Sequence, residues 1–121
     1  MTLAGLAVAG ALGAVLRYLL AGFVQESIDS TLPWATFSIN ASGSFLLGVI
    51  TGAALYHAFP ATPRVVLGTG FCGAYTTFST WSLEVVDLAE SGSPGAAIGY
   101  AVLSIVAGTS AAALGLILAA L

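Results

Sequence analysis

The chain has 121 residues, of which 59% are hydrophobic and only 6% charged, with a formal net charge of −3. A soluble domain carries about 25% charged residues. This composition, with a mean hydropathy of +1.06, therefore excludes a soluble globular fold and describes an integral membrane protein. Spans of about 20 residues leave room for three or four crossings and no separate soluble domain, so residues 1–121 read as one all-α transmembrane domain. Lys and Arg together number 2, which excludes a basic patch for nucleic acid. The single cysteine, Cys72, excludes an internal disulfide and reads as a small buried apolar residue.

The first span is expected over Thr2 to Val24, with Arg17 its only charge. A signal peptide needs a basic region ahead of its apolar stretch. Met1 to Leu16 has none, so the segment reads as a retained span. Gly5, Ala9 and Gly13 recur every four residues, a stripe that lets another helix approach closely. Gln25 to Leu32 reads as a short polar loop carrying Glu26 and Asp29. Pro33 is placed to be the first helical residue of the second span, beside the interfacial aromatic Trp34. That span is expected to run to about Phe59, with Tyr56 and His57 marking its far end. Thr36, Asn40 and Ser44 are spaced by four and so share a helix face, which Gly48 and Gly52 continue with small residues.

Pro60 to Arg64 reads as a tight turn, and a third span is expected from about Val65 to Leu88. It contains the segment around which the chain is organised, G-T-G-F-C-G-A-Y-T-T-F-S-T-W-S-L-E at Gly68–Glu84. Glycines 68, 70 and 73 are followed by the hydroxyls of Tyr75, Thr76, Thr77, Ser79, Thr80 and Ser82. Glycine and threonine are poor helix formers. At membrane depth the combination predicts a broken helix, whose freed backbone groups must be satisfied by side chains or ions. Asp87 and Glu90 mark the return to water, and Ser91 to Gly95 reads as a turn. The fourth span is expected over Ala96 to Leu121, with Tyr100 and Ser104 one turn apart on a face that Gly108 and Ala112 extend. Four spans put the N-terminus, the Arg64 loop and the C-terminus on one side. The single arginine there, Arg64, favours a cytoplasmic N-terminus by the positive-inside rule, a thin bias that also suits insertion both ways.

Enzyme chemistry has little to build on. No paired carboxylates lie in a span, His57 has no ligand partner at metal-binding spacing, and there is no nucleophile–base pair or phosphate loop. Arg17, within its span, must snorkel, bind carbonyls to fix its helix, or position an anion. Asn40 is either glue between helices or a donor facing a pore. Phe78 and Trp81, three apart, are packing residues or rings whose positive edges replace part of an anion's water shell without trapping it. The carbonyls released around Gly73 and Thr76 suit a small alkali cation. Glu84 either marks the interface or fixes the broken helix by accepting hydrogens.

Three segments in order, G-A-L-G-A-V-L-R-Y at Gly10–Tyr18, T-F-S-I-N-A-S-G-S-F-L-L-G at Thr36–Gly48, and G-x-x-G-A-Y-T-T-F-S-T-W-S-x-E from Gly70 to Glu84, make the chain resemble the Fluc/CrcB family of fluoride channels. The resemblance covers essentially the whole chain. It implies four spans with a broken third helix, an antiparallel dual-topology dimer, two fluoride pathways and a central structural Na+. Carried over by residue, Asn40 would be the pore-lining amide and Phe78 a ring contacting fluoride. Gly73 and Thr76 would give backbone carbonyls to sodium, and Arg17 would match the first-span arginine. Ser79 and Thr80 would match hydroxyls of the broken segment, and Tyr100 and Ser104 the polar track of the fourth span. Two positions depart from the family. Ala74 stands for the second glycine of a Gly-Gly pair, and Trp81 stands for a phenylalanine, its N–H either narrowing the pathway or offering it a donor.

The function so implied is a passive, fluoride-selective channel of the inner (plasma) membrane that exports cytoplasmic fluoride, working as a homodimer or as a heterodimer with a paralogous subunit. A small multidrug resistance exchanger needs a carboxylate in its first span, and Met1 to Gln25 has none. A non-transporting scaffold has no need of hydroxyls clustered at mid-depth.

Overall fold

The computed structural model describes residues 2–121, and these form helices and no strands. Their order is α1 (Thr2–Ser27), α2 (Trp34–Tyr56), α3 (Ala61–Val65), a π-helical stretch (Val66–Cys72), α4 (Gly73–Tyr75), α5 (Ser79–Glu90) and α6 (Pro94–Ala120). α1, α2 and α6, with 26, 23 and 27 residues, are each long and apolar enough to cross a membrane. A membrane protein is built outward from such helices, with its apolar side chains turned to lipid. Accordingly Leu3, Val8, Leu12, Leu19, Ile105 and Ile117 are exposed, and no large side chain is fully buried.

The long helices lie close to the expected spans, with differences at their ends. α1 continues through Gln25, Glu26 and Ser27, because the polar residues after an apolar span are helix-compatible where they reach water. Pro33 is the N-cap of α2 rather than its first residue. α2 stops at Tyr56, where Ala58 takes a left-handed φ of 52° and the Phe59 N–H returns to the Ala53 carbonyl at 3.2 Å. The expected turn at Pro60–Arg64 is already helical from Ala61. The turn before α6 is made at Gly92, whose φ of 91° a side chain would resist. Pro94 then opens α6, its missing N–H costing nothing at that position.

The segment from Ala61 to Glu90 differs from the other three. Its glycines do not interrupt the winding. Gly68 and Gly70 lie in the π-helical stretch and Gly73 opens α4. The winding stops three residues later, at Thr76, which is extended at φ −80°, ψ 161°. It resumes at Ser79.

Two parallel pairs hold the helices together, each through glycines. Along α1, Gly5 faces Val66, Gly70 faces Leu6 and Ala9, and Gly13 lies under the Phe71 carbonyl. The partner numbers rise together, so α1 and the π-helical stretch run the same way. The stripe at Gly5, Ala9 and Gly13 is thus a packing seam. Along α2, Ser44 faces Gly108, Gly48 the Ala112 carbonyl, and Gly52 Leu116 and Ala119. Gly115 of α6 in turn lies against the Phe45 carbonyl. His57 closes the far end of this pair, its Nε2 2.7 Å from the Ala119 carbonyl oxygen.

Candidate functional site

The interruption at Thr76–Phe78 leaves backbone groups that a continuous helix would pair, and the neighbouring helices supply the partners. Thr76 satisfies the Cys72 carbonyl twice, through its own N–H at 2.9 Å and its hydroxyl at 2.8 Å. The Thr77 N–H, which would continue the ladder to the Gly73 carbonyl, instead donates to Asn40 Oδ1 at 2.8 Å. Asn40 Nδ2 donates back to the Thr77 carbonyl at 2.9 Å. One amide on α2 thereby pairs both backbone polar groups of Thr77, and the Gly73 carbonyl loses its ladder donor. From α1, Arg17 Nη1 reaches the Thr76 carbonyl at 3.4 Å. Of the roles open to Arg17, the geometry supplies the binding of a carbonyl at the break.

After the break the chain re-enters a helix through its hydroxyls. Thr77 Oγ1 accepts the Thr80 N–H at 3.2 Å, which satisfies one of the unpaired donors at the start of α5. Ser82 Oγ donates to the Phe78 carbonyl at 2.9 Å. One turn further, Glu84 accepts from Thr36 Oγ1 at 2.8 Å and from Tyr100 Oη at 2.9 Å. α2 and α6 are thus tied to α5 by one carboxylate, which fixes the helix by accepting hydroxyl hydrogens. Thr36 is buried, and so is Tyr100.

Alongside the break lies a groove of about 720 Å³. Of the residues expected in the fluoride pathway or at the sodium ion, Asn40, Ser44, Gly73, Thr76, Phe78, Trp81 and Ser104 line it. The rest lie elsewhere. Thr36 and Tyr100 meet at Glu84, Arg17 stands behind the break on α1, and Ser79 and Thr80 are exposed at the start of α5. Phe78 is 77% exposed, so its ring is not core packing within the chain. It lies 5.4 Å from the half-buried Trp81 ring, tilted by 44°. No charged side chain lines the groove, and no cluster of three metal-ligating side chains occurs among the described residues. Its polar lining is the Asn40 amide and the hydroxyls of Ser44, Thr76, Thr77, Ser104 and Thr109, set in a wall that is mostly apolar, with Leu47, Cys72, Phe78, Trp81 and Ile105.

Sequence reasoning named the hydroxyl run but not Thr77 as the residue Asn40 holds. It also passed over Ser42, whose Oγ lies 2.8 Å from Tyr75 Oη. Ser42 sits off the Thr36–Asn40–Ser44 face, and its only sequence signal is a hydroxyl inside an apolar span.

Residues 4–116 match the family described as CrcB-like protein, Camphor Resistance (CrcB). The chain is 44% identical over 108 residues to the fluoride-specific ion channel FluC 1 of Streptomyces avermitilis, covering 88% of this chain and 87% of that protein. It is 44% identical over 119 residues to the fluoride-specific ion channel FluC of Erythrobacter litoralis, covering 93% and 87%. It is also 46% identical over 120 residues to the fluoride-specific ion channel FluC 1 of Frankia casuarinae, covering 94% and 93%. Near-complete coverage in both directions, with the Asn40 clasp and the interrupted segment inside the matched residues, places this chain in the CrcB-like protein family.

Proposed function

We propose that the chain is the subunit of a fluoride-selective passive channel that lets cytoplasmic fluoride leave the cell and so relieves its toxicity. The observation that carries this reading is the uncharged groove, with an amide and hydroxyls in its wall, beside a helix interruption clasped by Asn40, in a chain 41–50% identical to proteins named fluoride-specific ion channels. Conduction needs binding firm enough to replace water and weak enough to release the ion. Amide and hydroxyl donors with aromatic edges meet that need, whereas a lysine or arginine in the groove would hold the anion. The chain carries no enzymatic chemistry, in keeping with relatives that are named as channels.

In this reading Ala61–Glu90 is the third of four spans, broken at Thr76–Phe78, and the protein is a multi-pass resident of the inner (plasma) membrane. Two copies pair antiparallel, as a homodimer or with a paralogous subunit, giving two pathways. Two features support the pairing. Phe78 projects from its own chain. Gly73 is also exposed, with nothing within 4 Å of where a Cβ would stand, so no packing within one chain calls for a glycine there. Na+ would be held by the Gly73 and Thr76 carbonyls. The donor set fits, since the Gly73 carbonyl is released by the Asn40–Thr77 clasp and both residues line the groove. Two oxygens are too few to replace a hydration shell, and a second copy doubles them. The bound ion would supply fixed positive charge that draws anions toward the rings.

Efflux from liposomes loaded with fluoride, followed with a fluoride electrode and repeated with chloride, tests the function. Fluoride release without chloride release is expected. Equal release of both ions, or none, refutes a fluoride channel.

A further inference from the structure

The charges of this chain lie at its two ends. Lys and Arg number 2, and Asp and Glu 5. Arg17 is taken up at the break by the Thr76 carbonyl, so Arg64, exposed beyond the end of α2, is the only other base. Four of the five acids, Glu26, Asp29, Asp87 and Glu90, are exposed at the opposite end, shortly before α2 and α6 begin. About 30 Å of bilayer core separates the two ends, so no acidic side chain of the same copy reaches Arg64. Both charges also oppose their own helices. Arg64 falls within the first turn of the winding that opens at Ala61, and Glu90 is the last residue of α5. At those places the helix dipole favours the opposite signs.

The break supplies a partner for both. Arg64 stands thirteen residues before Thr77, and Glu90 thirteen after it. Two copies paired antiparallel about their breaks therefore bring Arg64 of each to the depth of the other's Glu90. The twofold axis repeats that meeting at both membrane faces. The surface leading there is unpartnered within the chain. Val65, Thr69 and Gly73 are exposed at a spacing of four before the break. Leu83, Val86 and Glu90 share an exposed helix face after it. A parallel pair would instead gather the acids of both copies at one face and leave both Arg64 side chains without an acid.

We propose that Arg64 and the partner's Glu90 form an ion pair at each membrane face, and that these two pairs set the relative orientation of the copies. The proposal rests on the antiparallel pairing given above and adds to it the side chains that recognise the second copy. An exposed ion pair contributes little stability. Its effect is on specificity, because the wrong orientation sets like charges against each other.

Arg64→Cys and Glu90→Cys together put two thiols at opposite ends of one copy, about 30 Å apart and beyond the reach of a short bis-maleimide. In membranes the doubly substituted protein should link into covalent dimers. Each single variant should run as a monomer on a denaturing gel, because antiparallel pairing sends its two thiols to opposite faces. Cys72, only 2% exposed, is common to all three and is controlled by the single variants. A charge exchange gives a second readout. Arg64→Glu and Glu90→Arg, carried on differently tagged chains and expressed together, pair with both contacts attractive, whereas either variant with itself has both repulsive. Mixed dimers should outnumber like dimers by roughly threefold to tenfold, and random shares overturn the ion pair. If the double cysteine variant does not assemble, the charge exchange decides alone. Linking by a single variant overturns both the antiparallel pairing and the ion pair. Absence of a link in the double variant, with fluoride efflux intact, overturns the ion pair, keeps the channel and leaves Arg64 to lipid phosphates. A link without efflux does the reverse, keeping the contact and removing the channel.

Discussion

Asn40 and Thr77 exchange two hydrogen bonds, N–H to Oδ1 at 2.8 Å and Nδ2 to carbonyl at 2.9 Å, across 37 residues of sequence. The amide thereby does for the displaced peptide what the helix ladder would have done. Only a group with one donor and one acceptor in a fixed plane can do this. Asn40→Asp keeps the acceptor, loses the donor to the Thr77 carbonyl, and sets a negative charge against both that oxygen and a passing anion. Fluoride efflux should fall to background in proteoliposomes. Efflux at the unsubstituted rate would remove Asn40 from the pathway.

Phe78 is 77% exposed on its own chain, and its only described aromatic neighbour is Trp81. Phe78→Ile keeps a hydrophobic side chain and removes the polarised ring edge. Efflux should drop by at least about tenfold, the effect of some 1.4 kcal/mol on a barrier, while the size-exclusion profile stays that of the unsubstituted protein. A variant that elutes at a smaller size than the unsubstituted protein would make Phe78 a packing residue instead.

The Gly73 carbonyl freed by the clasp, beside a Thr76 carbonyl that Arg17 also engages, makes cation dependence a second check on the same break. Replacing sodium on both sides of the membrane with a bulky organic cation should slow fluoride efflux, and restoring sodium should recover it. Efflux indifferent to the cation would leave the Gly73 carbonyl to water.

Much of the fold was legible because lipid imposes a simple demand. Three apolar runs of sufficient length wound into helices close to where spans were expected, and their ends moved at Gln25–Ser27, Pro33, Tyr56 and Pro94. The interruption of the winding falls inside the segment that sequence reasoning singled out, but not at the residues it blamed. Gly68, Gly70 and Gly73 looked like the breakers, yet all three are wound, two of them in the π-helical stretch. There the missing side chains serve packing, as where Gly70 meets Leu6 and Ala9. The winding stops where Thr76 bonds back to Cys72 and Asn40 captures Thr77. The second of these depends on a helix far away in sequence, which no local pattern reports. The Ser42–Tyr75 contact, 33 residues apart, was hidden for the same reason.

The α2–α6 pair gives a stability test independent of transport. A Cβ at Gly48 would collide with the Ala112 carbonyl and one at Gly115 with the Phe45 carbonyl, whereas one at Gly22 meets nothing within 4 Å. Backbone cannot rotate out of the way as a side chain does. Gly48→Ala and Gly115→Ala should each cost about 1–3 kcal/mol and lower the thermal midpoint in detergent. Gly22→Ala should be neutral or slightly stabilising, since alanine is the better helix former. Equal midpoints for all three would mean that the two helices are not in backbone contact.

Glu84 joins three helices by accepting from Thr36 on α2 and Tyr100 on α6, and the two donors serve separate oxygens of one carboxylate. A carboxylate away from bulk water relies on such donors to stay favourable. Thr36→Val and Tyr100→Phe each remove one hydroxyl with little change of shape, so each should destabilise by about 1–3 kcal/mol. In the Glu84→Gln background the same substitutions should cost less, because a neutral amide accepts more weakly than a charged oxygen. A double-mutant cycle on thermal stability would then show coupling of Glu84 to both hydroxyls. Strict additivity with Glu84→Gln would mean that the hydroxyls act through packing alone, and that the tie between α2, α5 and α6 lies in their apolar contacts.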